Sequence, residues 1–295
     1  MKKLKGMIAA VPTPFYEDES INFDVFKQVL EYIINNGMHC LLIGGSTGEY
    51  SLMSKEERKS IIEAACRING GRTKILAGCS CHRTADTIEM VKFAESVGVD
   101  FALIIPPYYM QTTRQGIIDY YNDVANSVKD LGIVIYHYPE ATSVYLDPEL
   151  ISEISKHRNI IGIKNTAEMD HTAKLIEMFR GRNDFSVVNG YENLTLGTLA
   201  LGGDGLMGII ESLVPKQMVD IYNAMQDNDV AKAREINNSV AALYNMMEEE
   251  PCPAPVKAAF EIMGIAVGKP RKPLTPASED LKKRLEVELK KIGII

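Results

Sequence analysis

Short apolar runs alternate with longer amphipathic stretches along the first three-quarters of the chain. The apolar runs lie at 7–11, 40–43, 75–77, 101–105, 133–136, 160–163, 185–188 and 206–210. Each is too short for a helix and shows little alternation, which is how strands buried on both faces of a parallel sheet read. The stretches between them have helical periodicity and open on start signals. Ser54-Lys55-Glu56-Glu57 is a capping box, and Asp147-Pro148 sets a capping carboxylate before a first-turn proline. Eight strand–helix units fit within roughly the first 225 residues, and eight is the number that closes a (β/α)8 barrel. An open doubly wound sheet is the alternative, but it would carry a glycine-rich phosphate turn after its first strand. Here that strand runs into Val11-Pro12-Thr13-Pro14.

The expected fold is therefore an α/β TIM (β/α)8 barrel over residues 1–226 with a C-terminal helical extension over 227–295. Helices are predicted at 229–248, 255–265 and 278–292, with a stiff connector at Pro251-Cys252-Pro253-Ala254-Pro255.

Composition narrows the function. With 46% hydrophobic and 24% charged residues among 295, the chain can bury a large core, which excludes disorder. A formal charge of -7 without a basic block argues against nucleic acid as a partner. Five scattered cysteines, an odd number, read as reduced thiols. The basic start, Met1-Lys2-Lys3, is not followed by the apolar core of a signal peptide, and no run is long enough to span a membrane. A cytoplasmic location is expected.

In a barrel of this kind the chemistry sits at the C-terminal strand ends. The sixth strand reads Ile160-Ile161-Gly162-Ile163-Lys164. Burial there would favour the neutral amine, the nucleophile needed for a Schiff base with a ketone; the alternative is a lysine just past the strand that reaches solvent. The fifth ends in Tyr136, a phenol able to shuttle a proton. His137 points the other way, toward a structural place or the pocket margin. The second strand ends in Gly44-Gly45-Ser46-Thr47-Gly48-Glu49, whose hydroxyls and N–H groups suit a small carboxylate. Lysine, phenol and carboxylate nest together suggest an imine site for pyruvate.

These residues resemble the dihydrodipicolinate synthase/N-acetylneuraminate lyase family of pyruvate-dependent class I aldolases. The likeness extends over Pro12-Thr13-Pro14-Phe15, Gly45-Ser46-Thr47-Gly48-Glu49, Pro107-Tyr108-Tyr109, Tyr136 with Pro139, Gly162-Ile163-Lys164, Gly202-Gly203-Asp204-Gly205 and Pro255-Val256-Lys257. It implies that Lys164 forms the imine, Tyr136 transfers the proton and Ser46 with Thr47 holds the keto-acid carboxylate, beside Gly45. It further implies that Tyr109 crosses a subunit interface to complete a proton relay, in a homotetramer built as a dimer of dimers. No metal or cofactor is implied, because the iminium is itself the electron sink.

The acceptor half departs from the synthase branch. Ala141 stands where that branch has an arginine that grips a carboxylate, and Glu140 beside it would repel an anionic aldehyde. Thr166 and Gly208 resemble the lyase branch, and Glu192 sits where that branch binds sugar hydroxyls; Ile209 replaces its serine. Thr166, Gly190, Glu192, Met207, Gly208 and His137 complete the expected substrate-binding set.

The leading expectation is thus an N-acetylneuraminate-lyase-like enzyme that uses pyruvate, or releases it from a 2-keto acid. Condensation of pyruvate with aspartate semialdehyde, the 4-hydroxy-tetrahydrodipicolinate synthase reaction, is the alternative. A non-catalytic keto-acid-binding barrel is a third. Cys79-Ser80-Cys81-His82 brings soft ligands together but has no partner cluster at zinc spacing.

Overall fold

The apolar runs form eight parallel strands: β1 (Gly6–Ala10), β2 (Cys40–Ile43), β3 (Lys74–Gly78), β4 (Phe101–Ile104), β5 (Gly132–His137), β6 (Ile160–Asn165), β7 (Ser186–Asn189) and β8 (Gly205–Gly208). In the computed structural model, which describes residues 3–295, they hydrogen-bond in chain order into a closed barrel. Met1 and Lys2 of the basic start lie outside the described residues. Apart from exposed Lys74, every strand residue is buried, as their near-continuous apolar character requires.

Two compact units make up the chain. The first holds the residues up to Gly6 together with Lys74–Met207. Its helices include Pro148–Ile154, where Asp147 accepts the Leu150 N–H and Pro148 occupies the first turn, as predicted. The second unit holds Met7–Thr73 and Gly208–Ile295. Its helix Lys55–Asn69 opens on the predicted capping box, with Ser54 and Glu57 each bonding the other's backbone N–H.

The late helices Val230–Glu248, Ala254–Ile262 and Glu279–Lys291 belong to this second unit, with β2, rather than to a unit of their own. The middle one stops three residues before the expected end, because Gly264 turns the backbone left-handed at φ 84°. The expected eighth strand also ran too far. It ends at Gly208, and Ile210–Leu213 is a single helical turn. Both stretches are buried, so hydrophobicity alone could not separate them.

The tail is anchored inside the second unit by ion pairs. Lys257, only 2% exposed, reaches Glu49 at 2.6 Å. The Arg271 N–H donates to the other oxygen of Glu49 at 2.7 Å. The Arg271 guanidinium pairs with Glu57 and donates to Leu52 O. Lys257 Nζ and Arg271 Cζ lie 4.4 and 4.3 Å from the centre of the Phe15 ring.

Candidate active site

Lys164 lies on β6 itself and is 7% exposed, so the lysine does not run past the strand into solvent. Its placement depends on one irregularity. Ile133 pairs with Ile160, but the next residue, Val134, pairs with Gly162, so Ile161 is an extra residue on β6. The shift sets Tyr136 opposite Lys164 and His137 opposite Asn165. Because strand side chains alternate, an unshifted register would have set Tyr136 against Ile163 and Lys164 against His137. Lys164 Nζ lies 4.5 Å from the centre of the Tyr136 ring, within cation–π range. Tyr138, two residues on, stacks on Tyr136 with ring centres 5.8 Å apart.

Within the first unit, Gly190 and Thr166 shape the surroundings of the lysine side chain. A Cβ at Gly190 would lie 1.9 Å from Thr166 Oγ1 and 2.9 Å from Lys164 Cε, so position 190 has room only for glycine. Thr166 is buried, and its hydroxyl has no hydrogen-bond partner among the described residues. Met207 is fully buried and Glu192 nearly so. Tyr191 donates its hydroxyl to Glu140 at 3.1 Å, while Ala141 is exposed. Tyr109 is 89% exposed, in the left-handed region at φ 71°.

His137, placed by sequence both in the substrate-binding set and toward a structural place or the pocket margin, has its ring nitrogens engaged within the protein. It is fully buried; Nδ1 meets Asn165 Oδ1 at 2.7 Å and Nε2 receives the Leu146 N–H at 3.2 Å. Both ring nitrogens are used, so neither is left for a ligand. Burial, opposed by the Asn165 bond, holds its pKa down to about 4. Asn165 is the polar residue that sequence reasoning passed over. It follows the lysine directly, and alternation alone put it on the other face.

In the second unit the turn after β2 places Ser46 exposed and Thr47 buried. The Thr13 hydroxyl donates to Gly48 O at 2.7 Å, and a Cβ at Gly48 would crowd Val11 O at 3.1 Å. Gly45 faces Leu42, whose side chain a Cβ would meet at 2.7 Å. Glu49, left-handed at φ 60°, is the buried partner of Lys257. Cys252 Sγ approaches Thr47 Oγ1 at 3.9 Å. Gly208 is buried.

Cys79 is buried, and His82 lies against Tyr108, with ring centres 4.6 Å apart. Among the described residues no group of three or more His, Cys, Asp or Glu side chains could hold a metal ion. Nor is any helix there long and apolar enough to cross a membrane.

Comparison with known proteins gives this geometry a context. The sequence model of the Dihydrodipicolinate synthetase family matches residues 3–292. The 4-hydroxy-tetrahydrodipicolinate synthase of Methanocaldococcus jannaschii is 35% identical over 299 aligned residues, covering 99% of each chain. Among solved structures, dihydrodipicolinate synthase from Thermotoga maritima superposes with a TM-score of 0.95 at 30% identity, covering all of both chains. The chloride-inhibited synthase from Acinetobacter baumannii, complexed with pyruvate, gives 0.94 at 31%, covering 99% of each. A closed eight-stranded barrel with these relatives is a lysine Schiff-base aldolase or lyase of class I. The chain belongs to the dihydrodipicolinate synthase family.

Proposed function

We propose that this protein joins pyruvate to an aldehyde through a Schiff base on Lys164. The observation that carries the proposal is the buried amine of Lys164 held 4.5 Å from the Tyr136 ring by the β5–β6 register. The amine attacks C2 of pyruvate and water leaves, giving a protonated imine. Loss of a C3 proton to solvent water yields the enamine, which adds to the aldehyde carbon while the aldehyde oxygen takes a proton from Tyr136, whose phenolate is then reprotonated from solvent. Hydrolysis of the new imine returns the free amine. The orphaned Thr166 hydroxyl, which gains from a polar partner, supports a contact with the substrate. By family resemblance the Ser46–Thr47 turn takes the keto-acid carboxylate. Tyr109 of a neighbouring copy completes the relay in a cytoplasmic homotetramer.

For the aldehyde, the curated relatives favour aspartate semialdehyde, the synthase reaction, over the N-acetylneuraminate-lyase-like reading that the sequence suggested. A second reading rests on two neighbouring residues. The exposed Ala141 offers no guanidinium, and Glu140 is tied to Tyr191, which suits a hydroxylated, uncharged aldehyde from a 2-keto-3-deoxy acid.

Borohydride reduction in the presence of pyruvate, followed by intact-mass measurement, tests the chemistry. A covalent adduct in the wild type and none in Lys164→Ala is expected; no adduct in the wild type overturns the proposal. Turnover with aspartate semialdehyde, set against cleavage of 2-keto-3-deoxy acids and sialic acid, then decides the partner.

A further inference from the structure

Beside the strand ends that carry Tyr136 and Lys164 lies a closed circuit of hydrogen bonds. Its members are His137 on β5, Asn165 on β6, His171 on the helix Met169–Met178 and the backbone of Leu146. The Leu146 N–H points at His137 Nε2 (3.2 Å), and His137 Nδ1 faces Asn165 Oδ1 (2.7 Å). His171 Nδ1 faces the same oxygen (3.0 Å), and His171 Nε2 faces Leu146 O (3.0 Å). Leu146 therefore opens the circuit with a donor and closes it with an acceptor.

Counting donors locates the protons. Since Leu146 N–H can only donate, Nε2 of His137 carries the lone pair and its proton sits on Nδ1, given to Asn165 Oδ1. Turning the amide round would require His137 to accept at both nitrogens, an imidazolate. As placed, Asn165 Nδ2 donates to Thr172 Oγ1 at 2.9 Å. Two acceptors then remain for His171, so it completes the circuit only by donating from both nitrogens. A neutral His171 leaves one lone pair against an oxygen. The circuit is whole with three protons on two rings and one bond short with two.

We infer that His137, Asn165 and His171 form a protonation-dependent positioning cluster for the imine-forming strand pair, in which the added proton goes to His171 and not to His137. The inference rests on the roles proposed above for Lys164 and Tyr136. His137 follows Tyr136, Asn165 follows Lys164, and the two are direct register partners, so the circuit pins both strand ends. Asn189, the β7 partner of Asn165, joins through Thr172 at 2.9 Å. Several groups bear on His171. Burial is the largest influence and disfavours its charged form, with Lys174 acting the same way. The Leu146 carbonyl, Glu168 and Asp170 favour it. His137 on β5 is neutral, and the Tyr145 ring packs 5.3 Å from both imidazoles.

Long-range proton–nitrogen NMR correlation of the histidine rings, recorded from neutral to acid pH, reads the protons directly. His137 is expected to stay a single tautomer with its proton on Nδ1 while His171 gains a second proton. Borohydride-trapped adduct formation with pyruvate, measured over the same range, should inflect at the His171 midpoint. That inflection should vanish in His171→Gln, with adduct forming about 10-fold or more slowly, the scale of a displaced reacting group. Asn165→Asp sets a carboxylate between the rings and should raise both the NMR midpoint and the rate inflection by about one pH unit or more. If the Gln variant does not fold, that paired shift decides the matter. A His137 protonated at Nε2, a proton arriving first on His137, or a rate indifferent to the His171 midpoint overturns the inference. A wild type that forms no adduct sinks the Schiff-base reading and with it the positioning role, while the spectra alone still decide where the proton sits.

Discussion

At the scale of single residues, the mechanism proposed above divides the work among the lysine, its phenol and the glycine beside them. Lys164 supplies the amine, Gly190 leaves it room, and Tyr136 faces it from the next strand. Tyr136→Phe keeps the ring but loses the acid. Trapped adduct should persist while steady-state turnover falls by about 100-fold or more, the loss expected when a general acid–base group goes. Near-normal turnover in that variant would remove Tyr136 from the mechanism. His137 makes a different prediction. Its folded pKa of about 4 lies below the ordinary 6.5, so between those values the unfolded chain binds a proton that the native one refuses. Stability from this residue is complete above the ordinary value and drains away as pH falls toward 4, by about 3 kcal/mol. Urea melts at neutral and mildly acid pH should show that loss, reduced in His137→Gln.

At the scale of elements, the apolar runs announced all eight strands, and Ser54 and Asp147 announced helix starts, because burial and capping are local in sequence. The positions of Lys164 and Tyr136 at strand ends were legible for the same reason: a polar group at the end of an apolar strand stands out. The extra residue at Ile161 was not legible, since it exists only as a register between two strands. Nor was the role of Glu49, which in the sequence only closes the turn after the second strand. Its partners are the Lys257 side chain and the Arg271 backbone, some two hundred residues away in the chain, and no spacing rule reaches that far. Removing one member of such a pair strands a buried charge, so Lys257→Met should cost about 3–5 kcal/mol in chemical denaturation. The double variant Glu49→Gln/Lys257→Met should recover part of that loss. Additive losses would mean the two side chains do not act as a pair.

At the scale of the whole molecule, an exposed tyrosine in a left-handed turn needs something to hold it there. The relay proposed above would place a neighbouring copy against Tyr109, which is exposed and left-handed here. Sedimentation equilibrium is expected to return four times the chain mass, and Tyr109→Ala should lower turnover more than it lowers adduct formation. A stable, fully active monomer would overturn both expectations. The late helices matter on this scale too. Lys257 and Arg271 hold Glu49 and Glu57, which flank and follow the Ser46–Thr47 turn. A ribosome that has already released the second strand has therefore made only half of that turn's support; the rest arrives with the last stretch of message. Premature stops near the end of the reading frame should accordingly yield chains whose opening segment, though intact in sequence, has never been locked in place.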